Sequence, residues 1–100
     1  MLCNPHNPLG RCYSKKMLED CAKFCQSRGI HLISDEVFAL SSFESPDLPD
    51  APEFASVLSL DPKSLGCDPE RIHVIWSMSK DLAASGIRLV GLKDPRLALF

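Results

Sequence analysis

Two short apolar runs, IHLIS at residues 30–34 and IHVIW at residues 72–76, constrain this chain more than anything else in it. Each is nearly continuous in β-branched and large aliphatic residues, without the alternation of a strand that wets one face. Runs of this length and content suit parallel strands covered on both faces. Each also stops abruptly in polar residues, Asp35-Glu36 after the first and Ser77-Met78-Ser79-Lys80 after the second. In open parallel sheets ligands bind beyond the carboxyl ends of the strands, so two strands are expected to deliver polar groups to one edge.

The rest of the chain reads as the frame for these strands. Met17, Leu18, Cys21, Ala22, Phe24 and Cys25 recur at spacings of three and four, which predicts an amphipathic helix over about 15–28. Ser14 stands at its N-cap, and Gly29 supplies the left-handed residue that ends it. Before it, NPHNPLGRCY at 4–13 has the proline, asparagine and glycine punctuation of a loop. Residues 44–52, rich in Pro, Asp and Ser, predict an exposed loop, and 54–60 a helical turn or short strand. Ile87 to Leu92 predicts a third strand. No repeat and no domain boundary is visible, so residues 1–100 are expected to form one α/β unit of mainly parallel strands with a flanking helix.

Charge and cysteine content narrow the function classes. Eleven Lys and Arg against 13 Asp and Glu give a net charge of −2, without the basic footprint of a nucleic-acid or anionic-lipid binder. No stretch approaches the roughly 18–20 apolar residues of a membrane span. Met1-Leu2-Cys3-Asn4-Pro5 lacks the basic and apolar regions of a secretory signal, which makes the cytoplasm the expected location. The five cysteines include no C-x-x-C pair and are expected as free thiols, Cys21 and Cys25 as small hydrophobes on one helix face. His6, His31 and His73 fall in different elements without ligand spacing, so no metal is expected.

Taken singly, the polar residues after the strands are bland, because an Asp at a strand end is most often a loop residue or a helix cap. Their order is less so. N-P-x-N-P-x-G at 4–10, D-E-x-F at 35–38 and S-x-S-K with an Arg eight residues beyond the Lys occur in sequence and, with the runs before them, cover most of the chain. This set resembles the large domain of fold-type I pyridoxal-phosphate (PLP) enzymes of aminotransferase class I/II, and particularly the 1-aminocyclopropane-1-carboxylate synthase group. The resemblance implies Lys80 as the Schiff-base lysine and α-proton carrier, and Asp35 as partner of the pyridine nitrogen. It also implies Ser77, Ser79 and Arg88 as phosphate ligands and Asn7 as donor to the phenolic oxygen of the ring. The expected substrate is an α-amino acid, handled by transamination or by a lyase-type elimination, in a parent enzyme that is a homodimer.

The chain departs from the family in three places. Phe38 stands where a Tyr is usual, so one hydroxyl donor is missing. Leu89-Val90-Gly91 follows Arg88 where the Gly is commonly reached after one residue, which leaves the register of the last strand open. The family's upstream phosphate loop, its ring-stacking aromatic and its downstream substrate arginine have no counterpart here, so the chain reads as a fragment. Trp76 is expected in the core and Glu36 as a structural hydrogen-bonding partner. The competing expectation is a truncated, non-catalytic piece acting at most in interaction or regulation, with exposed strand edges that invite association.

Overall fold

A computed structural model of the chain describes residues 1–93. Its elements are β1 (Leu2–Cys3), α1 (Lys15–Ser27), β2 (Leu32–Asp35), β3 (Ile72–Ser77), α2 (Met78–Asp81) and β4 (Val90–Lys93), with short 3-10 turns at Ala39–Ser41, Val57–Ser59, Pro69–Arg71 and Ser85–Ile87. The four strands form one mixed sheet in the order β1-β2-β3-β4. β1 and β3 both run parallel to β2, with Cys3 opposite Asp35 and Asp35 opposite Ile75. The unit expected over residues 1–100 includes residues 94–100, which lie outside the described residues.

Local chemistry explains the helix. Ser14 Oγ accepts from Met17 N–H at 3.3 Å, and Gly29 takes φ +66° just past the end, as the capping residues predict. Of its apolar residues only Leu18 and Ala22, one turn apart, are buried; Cys25 packs against the core, while Met17 and Phe24 face outward. Leu18 and Ala22 meet Leu32, Ile72 and Val74 of the sheet and Val57, Leu60 and Cys67 of the crossover in one cluster. That cluster is the core, on a single face of β2 and β3. On the other face His73 and Ser77 are buried but Ile33 and Ile75 only half-buried, so among the described residues the apolar cluster covers one face where the apolar runs predicted two.

One strand is additional and two expectations change. The chain enters the sheet already at Leu2–Cys3, a strand too short to show a period in sequence. Residues 85–87 form a 3-10 turn, Arg88 is left-handed at φ 58°, and the last strand begins at Val90, antiparallel to β3 and exposed throughout. The twelve residues between Ser77 and Val90, α2 and the Ser85–Ile87 turn among them, stay at the same end of the sheet instead of crossing one of its faces, so the chain re-enters antiparallel. Trp76, expected in the core, is half-buried outside the cluster, with its indole N–H given to Asp81.

Leu18, with 0% exposure, sets the value of the core. Leu18→Ala should lower unfolding free energy by about 2–5 kcal/mol through lost burial and a residual cavity. Leu58→Ala, at a site 53% exposed, should stay within about 0.5 kcal/mol of wild type in the same urea titration followed by Trp76 fluorescence.

Candidate functional site

Parallel pairing sends the carboxyl ends of β1, β2 and β3 to one edge of the sheet, and the antiparallel β4 starts from that edge. After β1 the chain turns into the NPHNP loop, held by Asn4 N–H to Asp35 C=O at 2.9 Å. After β2 come Asp35, Glu36 and the Ala39–Ser41 turn, and after β3 comes α2 with Lys80. Val90 pairs with Ser77, so Arg88, two residues upstream of Val90, lies beyond the end of β3 beside α2. All six residues singled out from the sequence therefore belong to segments that meet at one edge. Strand alternation adds a face: Asp35 is opposite Ile75, and Ser77, two residues on, points to the same side.

Two buried polar side chains hold the segments around this edge. Asn4 is 0% exposed; its Oδ1 accepts from Tyr13 N–H at 3.0 Å and its Nδ2 donates to Ala55 C=O at 2.9 Å. Glu36, 3% exposed, accepts from Ser34 Oγ at 2.9 Å and from Val57 N–H at 3.0 Å, while its own N–H reaches Ile75 C=O at 2.8 Å. Leaving either buried group unpaired costs about 1–3 kcal/mol, so each fixes the loops it bridges. Glu36 has the structural role expected of it. Asn4 carries little signal in the sequence beyond being an Asn directly after the apolar Leu2-Cys3 pair.

The individual groups are differently placed. Asp35 is half-buried, its Oδ1 accepting from Val37 N–H at 3.3 Å. Ser77 is buried and caps α2, accepting from Ser79 N–H at 3.2 Å, which leaves its own hydroxyl hydrogen to donate elsewhere. Ser79 is half-buried, and Lys80, Asn7 and Arg88 are exposed. Arg88 Nη1 donates to Ser85 C=O at 3.2 Å, leaving other guanidinium N–H groups free of that bond. Asn7 and Phe38 line a common cleft of about 1090 Å³ with His6, Arg11 and Phe54.

Asp81 is a second residue missed in the sequence. Its carboxylate accepts from Leu40 N–H at 2.9 Å, Ser41 Oγ at 2.6 Å and Trp76 Nε1 at 2.8 Å. Burial works against its charge, but the bonds from Ser41, Leu40 and Trp76 win, and the carboxyl is held below its ordinary value. Away from this edge, His31 Nδ1 and His73 Nε2 lie 2.7 Å apart with their rings stacked, which their separate elements in sequence did not suggest. Among the described residues no three His, Cys, Asp or Glu side chains group as a metal site, and no helix is long and apolar enough to cross a membrane.

The family model for aminotransferase class I and II matches residues 1–91. A probable aminotransferase, aclI, of Aspergillus oryzae is 57% identical over 89 residues, covering 89% of this chain and 21% of that protein. The 1-aminocyclopropane-1-carboxylate synthase 7 of Arabidopsis thaliana is 39% identical over 89 residues, covering 89% of this chain and 19% of its own length. The crystal structure of aspartate aminotransferase from Thermotoga maritima superposes with a TM-score of 0.73 at 29% identity, covering 93% of this chain and 22% of that one. The chain thus spans about one fifth of the length of the relatives it matches.

Asp81 gives a pH dependence with a defined sign. Its folded value is lowered from 3.8, so its contribution to stability is complete above that value and is lost as pH falls through the lower folded value. The indole N–H resonance of Trp76, the only tryptophan, should hold steady above pH 4 and move below it in an NMR titration. The same titration of Asp81→Asn should show no such transition.

Proposed function

Because this chain belongs to the aminotransferase class I and II family, whose members are generally PLP-dependent, we propose that it carries the cofactor-holding edge of a PLP enzyme acting on α-amino acids. The single observation that supports this most is the β2–β3 pairing, which puts Asp35 and the Ser77–Lys80 segment at one sheet edge on neighbouring parallel strands. Residues 1–100 form one piece of the large domain in this reading.

The residues present fit such a group. PLP, when bound, supplies an electron sink that stabilises negative charge at the substrate α-carbon. Lys80 stands exposed at the edge, with its amine free to hold the cofactor covalently and later to move the α-proton. Asp35, on the face shared with Ser77, would keep the ring nitrogen protonated by its negative charge. Ser77 and Ser79, with Arg88 kept at the same end just before β4 begins, would offer hydroxyls and a guanidinium to phosphate oxygens. Asn7 would donate to the phenolic oxygen from across the cleft, where Phe38 supplies contact without a hydroxyl.

Transamination and lyase-type elimination share this machinery, and a relative's name supports each: probable aminotransferase for one, 1-aminocyclopropane-1-carboxylate synthase for the other. The choice depends on how substrate groups are oriented around the α-carbon. The cytoplasm as location, a homodimeric parent enzyme and the absence of nucleic-acid partners belong to the same proposal. A second reading, an interaction piece without catalysis, draws support from the exposed Met17, Phe24 and Ile30 beside α1 and the fully exposed β4.

Incubation with PLP followed by borohydride and peptide mapping separates the two. The first reading expects a phosphopyridoxyl group on Lys80, lost in Lys80→Ala. Asp35→Ala, which removes a charge-assisted bond worth about 1.5–3 kcal/mol, should raise the half-saturating PLP concentration roughly tenfold or more. Labelling spread evenly over all lysines, or none, supports the interaction piece.

A further inference from the structure

The cofactor assignment leaves the three-donor cluster on Asp81 unexplained. Lys80 occupies a helix of four residues, far too short to hold its own shape. Its start is held by the Ser77 cap, and its far side by Ser85 Oγ, which donates to Ser79 C=O at 2.9 Å. Asp81 ties its end outward: Trp76 on β3 and the backbone and hydroxyl of the Ala39–Ser41 turn all donate to that one carboxylate. The same turn is anchored back toward Asp35, through Ala39 N–H to Glu36 C=O at 2.9 Å and Glu36 N–H to Ile75 C=O at 2.8 Å. The path from Asp35 through the turn and Asp81 to Lys80, and back along the β3–β2 ladder, is therefore closed by hydrogen bonds at every step.

We propose that Asp81 is a positioning residue that fixes the Lys80 turn against the segment following Asp35, setting the separation of amine and carboxylate across the sheet edge. This inference rests on the reading of Lys80 as the cofactor lysine. The physical need is plain: Lys80 is exposed on a flexible four-carbon stem, and a site held loosely by about 1 Å loses much of its function. A carboxylate suits the task because its two charged oxygens take all three donors, Oδ2 from Leu40 and Trp76 and Oδ1 from Ser41, whereas a neutral amide keeps the first two only through a weaker carbonyl oxygen and reverses the bond to Ser41.

The test uses the full chain with PLP as the probe, reading three quantities: the half-saturating concentration, the pH midpoint of the adduct absorbance, and the share of borohydride-trapped label on Lys80 among all lysines. Asp81→Asn should raise the half-saturating concentration about tenfold, displace the pH midpoint and spread label to other lysines. Ser41→Ala, which removes one donor, should move all three in the same direction by less. Asp20→Asn, which breaks the exposed Lys16–Asp20 pair on α1, should move none. Wild-type values for all three readouts in Asp81→Asn would overturn the positioning role and leave the Lys80 reading intact. A wild-type chain with no selective label on Lys80 would overturn that reading and this inference together. If circular dichroism shows Asp81→Asn unfolded, Ser41→Ala and Trp76→Phe decide, and unchanged selectivity in both overturns the proposal.

Discussion

The parallel register of β2 on β3 is the constraint on which the other features depend. With Leu32 opposite Ile72 and Asp35 opposite Ile75, the buried Leu32, Ile72 and Val74 face α1, and Asp35 and Ser77 face the other way. The period of a strand is two, so a slip by one residue would send Asp35 into the core and Leu32 out of it. The hydrophobic face is thus what aims the polar one. Burial worth roughly 25 cal/mol per Å², spread over the core residues, decides where a single carboxylate points.

Buried polar groups then convert that register into a shaped edge. Asn4 draws the NPHNP loop and the segment around Ala55 together, and Glu36 joins Ser34, Val57 and the end of β3. Neither side chain bonds to a side chain assigned to chemistry, yet both stand where connections converge. Hydrogen-bonded polar residues in such places limit the ways loops can be arranged, since any alternative leaves a buried donor or acceptor unpaired. Asp81 does similar work at the surface, and its three neutral donors keep it ionised.

How far the sequence foretold this differs by element. The helix was legible because its period, its Ser14 cap and Gly29 all agree, and it forms over Lys15–Ser27. The strands IHLIS and IHVIW were legible from composition, and the polar residues behind them from position alone. What could not be read was whatever depends on pairing between distant segments. Two residues, Leu2 and Cys3, become a strand only because β2 offers an edge. Val90–Lys93 runs antiparallel after a turn at Ser85–Ile87 and a left-handed Arg88; Ser85-Gly86 marks a turn, but no residue type marks the conformation of Arg88 or the direction of the strand. Trp76 looked like a core residue because composition favours that, and its indole instead found a carboxylate five residues ahead. Asn4 and Asp81 escaped notice for the same reason: their partners lie up to 51 positions away.

The most direct test of the account is the β2–β3 register itself, measured by backbone nuclear Overhauser contacts in the isotopically labelled chain. Parallel contacts joining Leu32–Asp35 to Ile72–Ile75 are expected, with the Glu36 amide protected from exchange by Ile75 C=O. An antiparallel pattern, or a parallel one displaced by a single residue, would part Asp35 from the Ser77–Lys80 edge and contradict it.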